Sequence, residues 1–151
     1  MNPEIKIRAA TWADQPSIVD FLRQMNLRGE DILIPGTRYW LAQTADHALV
    51  GSAGLEFGEG ACLLRSVAVA SDYRMTGLGR ELVNTALAYA REIGCKTIYL
   101  FSVSSGSYWL RMGFQKIPVD ELTQALPEIP QVLRFAAIGK LATETGWKKE
   151  I

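Results

Sequence analysis

The chain has 151 residues, 48% of them hydrophobic, and its sixteen basic and sixteen acidic side chains cancel. That length can bury a core without staples, and balanced charge points to neither a nucleic-acid nor a membrane-surface partner. No apolar run reaches the length of a membrane span, and the opening Met1-Asn2-Pro3-Glu4-Ile5-Lys6 lacks a signal-peptide core, so a cytoplasmic protein is expected.

The two cysteines, Cys62 and Cys95, show neither a disulfide framework nor a metal-ligand spacing. His47 follows Ala45-Asp46 at a turn, where a solvated side chain is expected. The expectation is one metal-free domain over residues 1–151.

Ile5, Ile7 and Ala9 alternate with Lys6 and Arg8, the pattern of an opening strand with one wetter face. Thr11 or Asp14 can cap a helix with Pro16 in its first turn and an apolar stripe from Ile18 to Met25. Residues 26–36 are mixed and closed by Pro35-Gly36; a short second helix through Leu27 and residues 32–34, or a plain connector, both fit. Strands are expected over residues 38–43, 48–57 and 61–69, the last two joined by Gly58-Glu59-Gly60 in an antiparallel meander. Leu78, Leu82, Val83, Ala86, Leu87, Ala90 and Ile93 then recur at helical spacing until Gly94. Beyond it come a buried strand over 97–103, a short helix around 108–111, a strand over 113–117 and a helical turn over 119–126. A last strand is expected over 132–138 and a frayed tail over 147–150. The architecture is α/β, a mixed and mostly antiparallel sheet flanked by helices.

Chemistry concentrates where the 61–69 strand hands over to the long helix, at Arg74-Met75-Thr76-Gly77-Leu78-Gly79. A helix's first turn carries backbone N–H groups with no intrahelical partner, and its dipole adds partial positive charge there. Gly77 and Gly79 remove side chains that would hold a phosphate off, and Arg74 and Arg80 add formal charge. The stretch is neither a Rossmann fingerprint, which needs a third glycine, nor a P-loop, since no Gly-Lys-Ser/Thr follows.

The strand with Val67-Ala68-Val69, then Asp72-Tyr73-Arg74, Gly77-Leu78-Gly79 and the helix together resemble motif A of the GNAT superfamily. Its members are acetyl-CoA-dependent N-acetyltransferases, with the pattern Arg/Gln-x-x-Gly-x-Gly/Ala. Tyr108-Trp109-Leu110-Arg111-Met112-Gly113-Phe114 looks like the family's second conserved segment. Met75 stands where many relatives carry glycine, a change that leaves the backbone N–H in place. The resemblance implies acetyl-CoA as co-substrate, bound by Val67, Ala68, Val69 and the run Arg74, Met75, Thr76, Gly77, Leu78, Gly79 and Arg80. It further implies a sheet splayed between the Ala61–Val69 strand and the strand over 97–103, an oxyanion donor among the N–H groups of Val67–Val69, and an acceptor pocket shaped by residues 26–36. Relatives often dimerise through their late strands, a role residues 127–138 can serve.

Many relatives place a tyrosine acid four residues before the Gly-Phe pair. Trp109 holds that position here, and its neighbour Tyr108 points about 100° away; Tyr108 is the candidate acid, or else packs against coenzyme or core. A thiol of pKa about 8.5 leaves without much help from an acid. Glu56 is the candidate base, acting through a water, or else a solvated carboxylate near a hairpin end. Arg65, inside an apolar run, needs an anion: the carboxylate of an amino-acid acceptor, or an internal carboxylate. With Phe57 opposite Ala61, Glu56 shares a face with Leu64 and Ser66 while Arg65 lies on the other, unless a bulge intervenes. Arg65 and Ser66 are the candidate acceptor contacts.

Gly54-Leu55-Glu56, Leu63 to Val69, Leu87-Ala88-Tyr89-Ala90-Arg91 and Ile98-Tyr99-Leu100 look like the small arsenic-resistance N-acetyltransferases, over residues 54–120. That likeness implies a small amine acceptor bearing a carboxylate. A protein N-terminus or lysine is the alternative acceptor, and a non-catalytic coenzyme A sensor is the alternative class.

Overall fold

The computed structural model describes residues 4–151. Seven strands make one sheet in the order β1-β2-β3-β4-β5-β7-β6: β1 Ile5–Ala9, β2 Thr37–Thr44, β3 Leu49–Phe57, β4 Ala61–Val69, β5 Thr97–Phe101, β6 Gln115–Ile117 and β7 Gly146–Glu150. The helices are α1 Gln15–Gln24, α2 Leu78–Glu92, α3 Gly106–Arg111, α4 Val119–Ala125 and α5 Pro130–Ala137. The β1/β2, β5/β7 and β6/β7 pairs are antiparallel, and β4/β5 is parallel, with a register from Ala61↔Thr97 to Leu63↔Tyr99. Among the described residues no helix is long and apolar enough to cross a membrane, and no group of three or more His, Cys, Asp or Glu side chains could hold a metal.

Two expectations for the C-terminal third are corrected. Residues 132–138 are not a strand: α5 covers most of them, begun by Pro130 in its first turn. The buried pair Val132 and Phe135 stands at helical i, i+3 spacing, while Leu133 and Ile138 remain exposed. That region therefore offers a helix, not a strand, as a surface. The tail is not frayed either, because β7 lies between β5 and β6 and buries Trp147. Residues 26–36 form turns rather than a helix.

The chain divides into two compact units, residues 4–55 with 66–88 and residues 56–65 with 89–151. In the first, α1 packs Ile18, Phe21 and Leu22 against Ile32, Tyr39, Leu41 and Ala68. Gly51 is needed on the other face of β3, since a Cβ there would stand 2.7 Å from a Leu82 methyl carbon of α2. In the second unit, Ala61 and Leu63 of β4 meet Tyr99, Ile117, Leu122, Leu126, Ile129 and Val132, closing the β5–β7 region beneath α4 and α5. The Trp147 indole N–H donates to the Ser102 carbonyl at 2.9 Å, which anchors the terminal strand.

Candidate active site

The segment expected to bind an anion lies in the first unit and starts where β4 ends. A 3-10 turn over Ser71–Tyr73 leads into the loop, and Arg74 Nε donates to the Val69 carbonyl at 3.0 Å, tying the loop to the strand end. Thr76 Oγ1 donates to the Tyr73 carbonyl at 2.5 Å. Two residues of the loop are left-handed, Met75 at φ 64° and Gly77 at φ 88°. A Cβ on Gly77 would meet nothing within 4 Å, so the space in front of it is open. The first turn of the 15-residue α2 follows at once, with the Glu81 N–H on the Gly77 carbonyl at 3.0 Å. Its leading N–H groups have no intrahelical acceptor, the arrangement that takes a phosphate. Alongside is a cavity of about 440 Å³ lined by Gly77, Arg80, Glu81, Asn84, Thr85 and Ala88. Arg74, Met75, Thr76 and Arg80 are exposed, whereas Leu78 is buried and seats the helix.

Just upstream, β4 carries a bulge. The Gly58 N–H bonds the Ala61 carbonyl at 2.8 Å, so Gly58 lies opposite Ala61 across a two-residue turn. Further along, the Ala70 N–H bonds the Val50 carbonyl at 2.8 Å. Counting back from each bond, β4 holds one residue more than β3 needs, and Ser66, left-handed at φ 57°, is that residue. Its side chain meets the Tyr39 hydroxyl at 2.9 Å, and its carbonyl accepts from Ser52 Oγ at 2.7 Å. Tyr39 is fully buried and fits because position 54 is glycine: a Cβ there would stand 2.5 Å from Tyr39 Cζ. Nothing in the sequence flagged Tyr39 or Ser52; Gly54 within a strand was the available signal.

In the second unit, the expected placement of Glu56 and Arg65 on opposite faces is corrected. With Gly58 opposite Ala61, Glu56 faces Leu63 and shares its side with Arg65. Arg65 Nη1 donates to Glu56 Oε2 at 2.8 Å, and both side chains are buried. Glu56 Oε1 accepts the Gln131 backbone N–H at 2.9 Å, in the first turn of α5, where a negative charge is favoured. Of the two partners expected for Arg65, the internal carboxylate is the one observed. Glu56 is accordingly no solvated hairpin-end carboxylate.

Tyr108 sits in α3 with its hydroxyl oxygen shielded from solvent, edge-on to Trp109 at 4.9 Å between ring centroids. Trp109 is buried and meets Phe114 at 5.3 Å, a core role for the residue at the relatives' tyrosine position. Cys62 and Cys95 are bonded as a disulfide, which corrects the expectation that they show no disulfide framework. Their spacing of 33 residues says nothing of it; parallel β4/β5 pairing brings both ends together.

A left-handed glycine loop feeding a helix from the end of a bulged strand is the feature to set beside known proteins. The sequence profile described as the Acetyltransferase (GNAT) family matches residues 6–114, and this chain belongs to that family. An amino-acid acetyltransferase of Azotobacter vinelandii is 30% identical over 134 residues, covering 80% of this chain and 30% of that protein. This chain thus spans less than a third of that relative's length. The N-acetylglutamate synthase of Neisseria gonorrhoeae, solved with coenzyme A and N-acetyl-glutamate, superposes with a TM-score of 0.78 at 22% identity, over 99% of this chain and 36% of its own. A GNAT-family acetyltransferase of Staphylococcus aureus Mu50 superposes with a TM-score of 0.76 at 18% identity, over 97% and 99% of the two chains. At those identities the superpositions establish the fold.

Proposed function

We propose that residues 1–151 act as one acetyl-CoA-dependent N-acetyltransferase domain, passing the acetyl group directly to the amine of a small, amino-acid-like acceptor. The observation that carries this is the open loop at Gly77, delivering the N-terminus of α2 beside a cavity of about 440 Å³. Bound there, acetyl-CoA supplies an activated acyl group on a good thiolate leaving group. Arg74, Met75, Thr76, Gly77, Leu78, Gly79 and Arg80 hold its phosphates through backbone N–H groups and two guanidinium groups. Val67, Ala68 and Val69 offer backbone N–H groups to the negative charge that grows on the acyl oxygen.

The acceptor is assigned to Arg65 and Ser66. Support comes from the amino-acid acetyltransferases that the sequence matches; Arg65 serves the acceptor from β4 while it holds the internal carboxylate of Glu56. Glu56 is assigned to the proton path. Its two oxygens accept from Arg65 and from the Gln131 N–H, which hold the carboxylate in place beside Arg65. Tyr108 is assigned as the acid, a role the thiolate makes dispensable. A cytoplasmic homodimer completes the reading; sedimentation of the purified chain tests the oligomer.

Thiol release from acetyl-CoA across amino acids, amino-acid analogues, polyamines and short peptides tests the assignment. The expected result is a carboxylate-bearing amine as best substrate, lost on Arg65→Ala while acetyl-CoA still binds. Preference for peptides moves the function to protein acetylation. Silence across the panel with acetyl-CoA bound makes the chain a sensor.

A further inference from the structure

Two neighbouring strands of the first unit, β2 and β3, hold a single residue of β4. Ser66, the extra residue of the bulge, is left-handed at φ 57°, a conformation that an L side chain adopts only at a cost. It is gripped from two sides. Its hydroxyl meets the Tyr39 hydroxyl of β2 at 2.9 Å, and its carbonyl accepts from Ser52 Oγ of β3 at 2.7 Å.

Tyr39 is suited to that reach. Neighbouring strands lie about 4.8 Å apart, so a side chain of β2 must cross β3 to meet one of β4 roughly 10 Å away. A tyrosine carries its hydroxyl at the tip of a stiff ring, and the ring crosses β3 at Gly54. A Cβ at that glycine would stand 2.5 Å from Tyr39 Cζ and 2.6 Å from Cε2. The ring is fully buried among Ile18, Leu22 and Ile32, and the Tyr39 carbonyl accepts the Ala10 N–H at 2.8 Å. A buried phenol needs a partner for its hydroxyl, and Ser66 supplies one.

Val67, Ala68 and Val69 follow Ser66 directly. At their far end Arg74 Nε donates to the Val69 carbonyl at 3.0 Å, and the Ala70 N–H bonds the Val50 carbonyl at 2.8 Å. The three residues are thus pinned at both ends. Successive N–H groups of a strand point to alternate edges, so sliding the extra residue by one position reverses the edge to which those beyond it point. An oxyanion donor works only from within about 3 Å of the developing charge, and the place of the bulge therefore matters to rate.

We infer that Tyr39 is a positioning residue for acetyl transfer: its hydroxyl pins the bulge at Ser66 and thereby aims the N–H groups of Val67, Ala68 and Val69, a role that rests on those groups serving the acyl oxygen as assigned above. Tyr39→Phe removes the hydroxyl and keeps the ring in its slot at Gly54. It leaves the segment from Arg74 to Arg80 untouched, so the variant should fold and bind acetyl-CoA as the parent does. Thiol release from acetyl-CoA is followed with the best amine of the acceptor panel and, separately, with water as acceptor. Losing an interaction made only in the transition state lowers kcat without raising KM. The expected result is a kcat about tenfold lower or worse with both acceptors, at a KM for acetyl-CoA within about twofold of the parent's. Ser52→Ala, which frees the Ser66 carbonyl, should lower kcat in the same sense. Glycine takes the left-handed conformation unaided, so in a Ser66→Gly protein the further change Tyr39→Phe should cost less than about threefold. Parent-like kcat in Tyr39→Phe, with or without a lower melting temperature, would overturn the positioning role. So would a loss confined to KM, or an equal loss in the Ser66→Gly background. A parent that releases no thiol with any acceptor, water included, overturns instead the acetyl-transfer reading, and the positioning role falls with it.

Discussion

The Glu56–Arg65 pair predicts a strongly non-additive mutant cycle. Both side chains are almost fully out of water, with 0% and 4% of their surfaces exposed, so truncating either takes an ion-pair partner from a buried charge. Breaking such a pair from one side costs about 3–5 kcal/mol. Glu56→Leu also removes the acceptor of the Gln131 N–H, adding roughly 1 kcal/mol. Arg65→Met should cost about 3–5 kcal/mol by the same reasoning. The double variant removes both members of the pair and keeps apolar volume in their place, so it should lie within about 1–2 kcal/mol of the parent. Urea unfolding of all four proteins measures this, and each single variant should melt roughly 10 °C low for a chain of this size. Additive costs, or single variants that lose less than about 1 kcal/mol, would mean that the pair is not buried as observed. The reasoning would then fail at its first step.

Three further outcomes follow from the loop, the disulfide and the first turn. Met75 is left-handed and fully exposed, so Met75→Gly relieves backbone strain without losing packing and should raise stability by up to about 1 kcal/mol, with acetyl-CoA affinity kept or improved. A lower melting temperature would contradict this, and Gly77→Ala, at φ 88°, should show the opposite sign. The Cys62–Cys95 bond closes a loop of 33 residues holding the whole segment proposed for acetyl-CoA, so reduction should cost roughly 3–4 kcal/mol. Thiol titration of the denatured chain should find no free thiol before reductant; two would refute the bond. Asp14 is held well below the usual carboxylate range, first by its hydrogen bonds from Arg8, against a smaller opposing effect of burial. A carboxylate depressed in the folded state stabilises above its unfolded pKa of about 3.9 and loses that contribution as pH falls. The stability gap between the parent and Asp14→Asn should therefore be flat near neutrality and shrink below about pH 4; a gap independent of pH would remove the ion pair from the account.

What the sequence made legible, and what it hid, divides along physical lines. Helix α2 and the loop before it were readable because a 3.6-residue stripe and two glycines act locally, with no partner needed to interpret them. The β7 strand was hidden because Gly146–Glu150 is mostly polar and gains its place only by pairing with β5 and β6 on both sides. Helix α5 was misread for the converse reason: a short apolar run suits a strand or a helix, and Pro130 was the only local cue. The facing of Glu56 and Arg65 turned on a single residue. A two-residue turn rather than three shifts β4 by one position, and a one-residue shift exchanges the faces of every side chain. That places Arg65 against Glu56. The left-handed Ser66 then absorbs the extra residue and restores the pairing of Val50 with Ala70. A serine carries no sequence mark of such a conformation, which glycine or asparagine would have supplied. Its stabilisation comes instead from Tyr39 and Ser52, 27 and 14 residues away along the chain. The bulge is thus a property of three strands together, which is why the faces of β4 could be fixed only by the fold.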